Sequence, residues 1–307
     1  MKRQTLIVGT RGSALAQTQT ALVEAALRRV APNVVIEVRV IRTQGDARLD
    51  RPVTQIGGKG VFVREIENAL LARVIDLAVH SLKDLPVEQP PGLVVAAIPP
   101  REDPRDVLVS RDGRRLSELP AGARVGTGSQ RRAVQLRTMR PDLEVHDLRG
   151  NVDTRLRKLD AGQYDAIVLA AAGLSRLGRL DRVVEFFDPE VMTPAPGQGA
   201  LAVECRAADE TTQSLLLPVH DPQTWAAVTA ERAFLSGLGG GCSAPIAAYA
   251  EARSATLRLQ GLVASLDGRQ VVRVSGDGSV EQPEQLGYRL AEEALAQGAS
   301  TILEGIP

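Results

Sequence analysis

The chain has 307 residues, 44% hydrophobic and 24% charged, with 37 basic residues balanced by 37 acidic ones. That length suits two or three domains and the composition is that of a soluble globular protein. A net charge of zero leaves no global electrostatic case for binding nucleic acid or a membrane surface. No stretch approaches the ~20 apolar residues that cross a bilayer, and the early run Leu6-Ile7-Val8 is too short for a signal-peptide core. Two cysteines without an export signal indicate a reducing, cytoplasmic setting and argue against a Cys205–Cys242 disulfide.

Over the first ~200 residues, apolar runs alternate with helical patterns, which marks βαβ units and a mostly parallel sheet. Thr5–Thr10 reads as a strand, and Ser13 as the N-cap of an amphipathic helix reaching about Ala31. Val34–Ile41 reads as a second strand, Val61–Arg73 as a helix and Ile75–His80 as a buried strand. Between them, Thr43–Gly60 is polar, Gly-rich and long, as active-site lids are, with Lys59 near its end. It lacks the spacing of a Walker phosphate loop.

The prolines of Ile98-Pro99-Pro100-Arg101-Glu102-Asp103-Pro104 suit a crossing between lobes. A second unit follows: strand Arg124–Gly126, a helix from about Ser129, strand Leu143–Leu148, helix Val152–Ala161 and strand Ala166–Ala170. Met192–Ala200 reads as a second crossing, so Leu201–Arg206 should rejoin the first sheet. The expected division is lobe 1 at 1–99 and 200–217, lobe 2 at 100–199, and an α+β C-terminal domain at 218–307. In that last part Trp225–Leu235 reads as a helix, Ala247–Ser275 as strands with an Asp267-Gly268 hairpin turn, and Pro283–Gln297 as a closing helix.

Chemistry-bearing residues gather where strands end. Val8-Gly9-Thr10-Arg11-Gly12-Ser13 and Val125-Gly126-Thr127-Gly128-Ser129 each place a Gly-Thr turn and a serine before a helix, a ready anion site. Arg11, Lys83, Arg131, Arg132, Arg149, Arg155 and Arg176 fall at the expected carboxyl edges of strands, which implies a polyanionic ligand; unrelated surface ion pairs are the plainer reading. Asp84, beside Lys83, is placed to stabilise a developing cation or relay a proton, although the turn by itself reads first as a plain Lys–Asp surface pair. Cys242 lies in Gly239-Gly240-Gly241-Cys242-Ser243-Ala244-Pro245, which reads equally as a loop that gives a bulky group close access to sulfur and as a Gly-rich turn holding a small buried thiol. The three scattered histidines and the cysteines have no metal-binding spacing, so no metal is expected.

These residues resemble the porphobilinogen deaminase (hydroxymethylbilane synthase) family from end to end. The matching runs include Thr10-Arg11-Gly12-Ser13, Gly57-Gly58-Lys59-Gly60, Ala78-Val79-His80-Ser81-Leu82-Lys83-Asp84-Leu85-Pro86 and Arg101-Glu102-Asp103-Pro104-Arg105-Asp106. They continue through Leu148-Arg149-Gly150-Asn151-Val152, Pro196-Gly197-Gln198-Gly199 and Gly240-Gly241-Cys242. The resemblance implies an α/β fold of two lobes like type II periplasmic binding proteins, a cleft between them and a small α+β C-terminal domain. It implies a dipyrromethane cofactor joined to Cys242 by a thioether, held by Lys83, Asp84, Thr127, Ser129, Arg131, Arg132 and Arg155. It assigns the carboxylates of porphobilinogen and of the growing chain to Arg11, Ser13, Gln19, Arg149, Arg155 and Arg176, catalysis to Asp84, and the lid to Lys59. A cytoplasmic monomer acting in tetrapyrrole biosynthesis, without nucleic acid or membrane partners, is the expectation. The alternative is a non-catalytic two-lobed sensor of a small polycarboxylate, which leaves Cys242 and Asp84 without a use.

Overall fold

The computed structural model describes residues 5–43, 63–239 and 245–306. They fall into two compact units, one of 1–102 with 200–225 and one of 103–199 with 226–307. The first unit contains β1 (Thr5–Thr10), α1 (Ala14–Val30), β2 (Val35–Val40), α2 (Arg64–Leu71), β3 (Leu77–Ser81) and β4 (Leu93–Ala97). The second begins with β5 (Asp106–Ser110), β6 (Arg124–Gly126), α3 (Gln130–Met139), β7 (Glu144–His146), α4 (Val152–Asp160), β8 (Ala166–Ala170), α5 (Ala171–Arg176) and β9 (Glu185–Phe186). Then β10 (Leu201–Arg206) and α6 (Glu210–Leu216) return to the first unit. The chain continues with α7 (Pro222–Gly237), β11 (Ile246–Arg253), β12 (Thr256–Ala264), β13 (Val271–Ser279), α8 (Pro283–Ala294) and α9 (Ser300–Glu304).

The first sheet has the order β2-β1-β3-β10-β4 and the second the order β7-β6-β8-β5-β9. In each, the first three strands are parallel and the fourth runs against its neighbours: β10 against β3 and β4, β5 against β8 and β9. This shared pattern is that of a type II periplasmic-binding-protein lobe. As expected, Leu201–Arg206 rejoins the first sheet, and all six of its residues are buried. The sequence reading passed over β4 and β5, whose short apolar runs carry no turn chemistry that separates them from the proline-rich connector between them.

Helix α1 shows why the sequence folds as it does. Ser13 Oγ accepts from the Ala16 N–H, Arg28 and Arg29 sit in the last turn where cations suit the helix dipole, and Ala16, Gln19, Thr20, Val23 and Leu27 form the buried face. That face meets a core of Leu6, Val8, Leu77, Val79, Val203 and Cys205. The opposite face of the sheet packs Ala78 and Leu93 against Ile66 and Leu70 of α2.

The C-terminal part is a three-stranded antiparallel sheet, β11-β12-β13, covered by α7 and α8 around Phe234, Leu259, Leu286 and Leu290. Gly261 is required here, because a Cβ would come 2.3 Å from the Phe234 ring. The Asp267-Gly268 turn forms between β12 and β13 as expected, with Gly268 at φ 75°. Arg137 Nη1 of α3 donates to Leu266 O of this sheet at 3.0 Å, and Gln260 Nε2 donates to Pro189 O at 2.8 Å.

Candidate active site

Each predicted site residue that the structure describes lies in the turn or helix that follows a parallel strand, most of them at the strand's carboxyl end and Gln19 and Arg155 further along the following helix. Arg11 and Ser13 follow β1, Lys83 and Asp84 follow β3, and Thr127, Ser129, Arg131 and Arg132 follow β6. Arg149 and Arg155 follow β7, and Arg176 ends the helix after β8. Open α/β sheets bind ligands at this edge, because helix N-termini and loose loop amides converge there. Cys242, Lys59 and the expected lid Thr43–Gly60 beyond Thr43 lie outside the described residues.

Asp84 is exposed at the end of a 3₁₀ turn (Leu82–Asp84) that continues β3, while Leu82 and Leu85 are buried and anchor the turn. The Leu82 N–H donates to Ala200 O at 3.0 Å, which ties the turn to the start of β10. Gln19, expected to touch substrate, is buried and donates from Nε2 to Ser81 Oγ at 2.8 Å, so it reaches the same turn from α1.

Lobe 2 presents the turn Gly126–Ser129. The Ser129 N–H donates to Thr127 Oγ1 at 3.2 Å, and Ser129 is the N-cap residue of α3 without a side-chain capping bond. Ser13 uses its hydroxyl as a cap, so the sequence echo between the two turns holds for the backbone and differs at the side chain. Arg149 Nε donates to Asp147 Oδ2 at 2.8 Å, Arg155 Nε to Gly150 O at 2.7 Å, and Arg176 Nη2 to Gly199 O at 2.6 Å.

Arg131 and Arg132 are buried, and both grip Asp106, a partner that the sequence reading did not single out. Arg131 Nη1 lies 2.6 Å from Oδ2, and Arg132 Nε lies 2.9 Å from Oδ1. Burial alone would raise the Asp106 pKa, but the two guanidinium charges and hydrogen bonds from Arg131 and Gln198 hold it well below the usual carboxylate range. Two cations against one carboxylate leave a net positive charge inside, and Arg131 Nε is buried with no hydrogen-bond partner among the described residues. An orphaned guanidinium N–H beside surplus positive charge fits a carboxylate arm of a dipyrromethane.

Two other buried groups were missed. Glu231 of α7 accepts from the Gly197 N–H at 2.7 Å and the Ala250 N–H at 2.8 Å. His80 Nε2 lies 3.1 Å from Glu204 Oε2 across β3 and β10, with both side chains enclosed. Sequence alone shows a polar residue within a strand or helix in these cases; the partner lies ~20 to ~120 positions away and carries no spacing signal.

Residues 6–214 match the family model described as porphobilinogen deaminase, dipyromethane cofactor binding domain, and residues 225–296 match that of the porphobilinogen deaminase C-terminal domain. The chain belongs to the porphobilinogen deaminase family. It is 51% identical over 306 residues to the porphobilinogen deaminase of Syntrophobacter fumaroxidans, covering 100% of this chain and 99% of that one. With its counterpart from Roseiflexus sp. the identity is 54% over 303 residues, covering 99% and 100%. A solved nutrient-binding protein from Burkholderia cenocepacia shares 14% identity at a TM-score of 0.44, covering 71% of this chain and 93% of that one. The family assignment makes the chain a transferase of tetrapyrrole biosynthesis with a dipyrromethane cofactor, and the sensor reading has no support.

Proposed function

We propose that this chain condenses four porphobilinogen molecules head to tail, with loss of ammonia, and releases linear 1-hydroxymethylbilane, with Asp84 as the catalytic group. Bound through a thioether to Cys242, the dipyrromethane supplies the nucleophilic pyrrole carbon that primes the polymer. Lys83, Thr127, Ser129, Arg131, Arg132 and Arg155 hold its acetate and propionate groups. Arg11, Ser13, Arg149, Arg155 and Arg176 hold the carboxylates of the incoming pyrrole, and Gln19 acts through Ser81.

The observation that carries the assignment is the position of Asp84. It is an exposed carboxylate on a turn anchored by Leu82 and Leu85, beside Lys83 at the ligand-binding edge of its sheet. As ammonia leaves porphobilinogen, positive charge spreads over the pyrrole and its N–H. A fixed carboxylate opposite that N–H lowers the barrier because its charge is already in place when the cation forms. The arginines, held by backbone carbonyls and neighbouring carboxylates, orient the substrate through planar two-point contacts.

A cytosolic monomer of three domains is what the family resemblance implies, and the zero net charge leaves no global electrostatic case for a nucleic-acid partner. Among the described residues no helix is long and apolar enough to cross a membrane, and no cluster of side chains suits a metal ion. Intact-mass measurement after incubation with porphobilinogen tests the reading. The expected result is a covalent two-pyrrole adduct that is absent from Cys242→Ser, and an unmodified chain with no bilane product overturns it.

A further inference from the structure

The loop that follows β7, from Asp147 to Gly150, is held along its backbone by three side chains. Tyr164 Oη donates to Asp147 O at 2.7 Å, Lys158 Nζ to Arg149 O at 3.1 Å and Arg155 Nε to Gly150 O at 2.7 Å. Leu148 is fully buried, and its N–H donates to Thr127 O at 3.3 Å, which ties the loop to the Gly126–Ser129 turn. The two segments lie so close that a Cβ on Gly128 would come 2.7 Å from Leu148 O. With its backbone fixed in this way, Arg149 can vary only in its side chain.

That side chain spends one donor inside the protein, Nε on Asp147 Oδ2 at 2.8 Å, while Nη1 and Nη2 donate to no described residue. Nη1 stands 3.7 Å from the place a Gly128 Cβ would take, and Asp147 Oδ1 stands 3.6 Å from it, so the pair borders the Gly126–Ser129 turn. A guanidinium gripped at Nε loses much of the freedom of its long stem, and its Nη1–Nη2 edge keeps the two parallel N–H groups that match one carboxylate. We propose that Asp147 is a positioning residue for porphobilinogen. It holds Arg149 by Nε so that the Nη1–Nη2 edge stands ready for one carboxylate of the incoming pyrrole. The inference rests on the proposed function, which counts Arg149 among the substrate's ligands, and gives a role to a carboxylate which that function leaves unused.

Two effects of Asp147 oppose each other. Its negative charge repels a substrate carboxylate, but the side chain is 57% exposed and solvent screens that repulsion. Ordering the long side chain of Arg149 in advance strengthens binding by about threefold to tenfold, and this effect wins. Steady-state kinetics of the cofactor-loaded enzyme on porphobilinogen provide the test, with thermal melting to verify folding. Asp147→Ala should raise KM about threefold to tenfold with little change in kcat. Asp147→Asn, whose amide oxygen still accepts from Nε, should keep KM at or below the parent value. In an Arg149→Met background, Asp147→Ala should move KM no further, because the residue through which Asp147 acts is gone.

A KM in Asp147→Ala below that of the parent makes Asp147 a competitor for Arg149 and overturns the inference. A rise of the same size with Arg149 already replaced overturns it too, since Asp147 then acts by another route. Arg149→Met alone separates these failures from a failure of the functional reading. A raised KM there with an unchanged KM in Asp147→Ala defeats the inference by itself, whereas a normal KM in Arg149→Met removes that arginine from the substrate site and defeats both.

Discussion

Gln19 on α1 donates to Ser81 Oγ at 2.8 Å, three residues before the proposed catalytic carboxylate. The contact fixes the end of β3 from the helix side, while the Leu82 N–H fixes it from β10. Gln19→Leu keeps the volume and removes the bond. We expect kcat to fall by roughly tenfold to a hundredfold, the scale on which small misplacements of reacting groups act, with KM moving less. A rise in KM alone places Gln19 against substrate instead.

Asp84→Asn keeps the shape of the side chain and removes its charge. Turnover should fall by ~10² or more, as for other lost electrostatic contacts to a developing charge. The cofactor adduct should still form at least in part, and enzyme–substrate complexes should accumulate. Near-normal kcat with a raised KM assigns Asp84 to binding.

Cys205 is fully buried on β10, and burial, with Asp209 adding to it, pushes its thiol up to about 11. It is therefore protonated and shielded at neutral pH. In the folded apo-protein at pH 7.5 (a condition set near neutrality, ~4 units below that value), iodoacetamide should label one cysteine, and Cys242→Ser should abolish the labelling. Labelling at Cys205 contradicts the assignment. Cys205→Ser should keep the pyrrole adduct.

The strands Thr5–Thr10, Arg124–Gly126, Ala166–Ala170 and Leu201–Arg206 were legible to the residue, because dense apolar runs flanked by glycine or a polar cap allow few other structures. The edge on which the cations fall followed from those assignments. What the sequence hid is where each charge goes. Arg131, Arg132 and Arg149 read as cations awaiting a ligand, while the fold gives the first two Asp106 and the third Asp147. A carboxylate 25 positions from its arginine leaves no periodic trace, since strand order and not spacing brings β5 beside β8, across from the start of α3. Gln198 was quoted within Pro196-Gly197-Gln198-Gly199 without a role for the same reason.

Glu231 joins three parts of its unit: α7 through its own backbone, the Pro196–Gly199 turn through the Gly197 N–H, and β11 through the Ala250 N–H. Glu231→Ala strands two N–H groups in the interior, each costing about 1–3 kcal/mol. The melting temperature should drop by several degrees at least, and Glu231→Gln should recover part of the loss, because an amide oxygen accepts only where its NH2 group does not intrude. Equal melting of Glu231→Ala and the parent protein refutes this role.

His220 closes the connector after β4. The Ile98 N–H donates to its Nδ1 at 3.2 Å, and the Asp221 N–H donates back to Ile98 O at 2.7 Å. Further along, the Arg101 N–H donates to Thr224 Oγ1 at 3.1 Å. An imidazolium has no lone pair on Nδ1, so the first bond requires the neutral ring. Burial lowers the His220 pKa below the ordinary 6.5, and the carboxylate of Asp221 opposes the shift less strongly. With the folded value below the unfolded one, the unfolded chain binds more protons between the two. The stability from this group is thus complete above 6.5 and is lost as pH falls through the folded value. Trp225, the one tryptophan of the chain, has its ring centroid 6.4 Å from that of His220 and reports the change, since a protonated imidazole quenches indole emission. Tryptophan fluorescence should therefore drop on acidification with a midpoint below 6.5, and His220→Gln should abolish the step. A midpoint above that value, or a step that survives in His220→Gln, removes His220 as the titrating group.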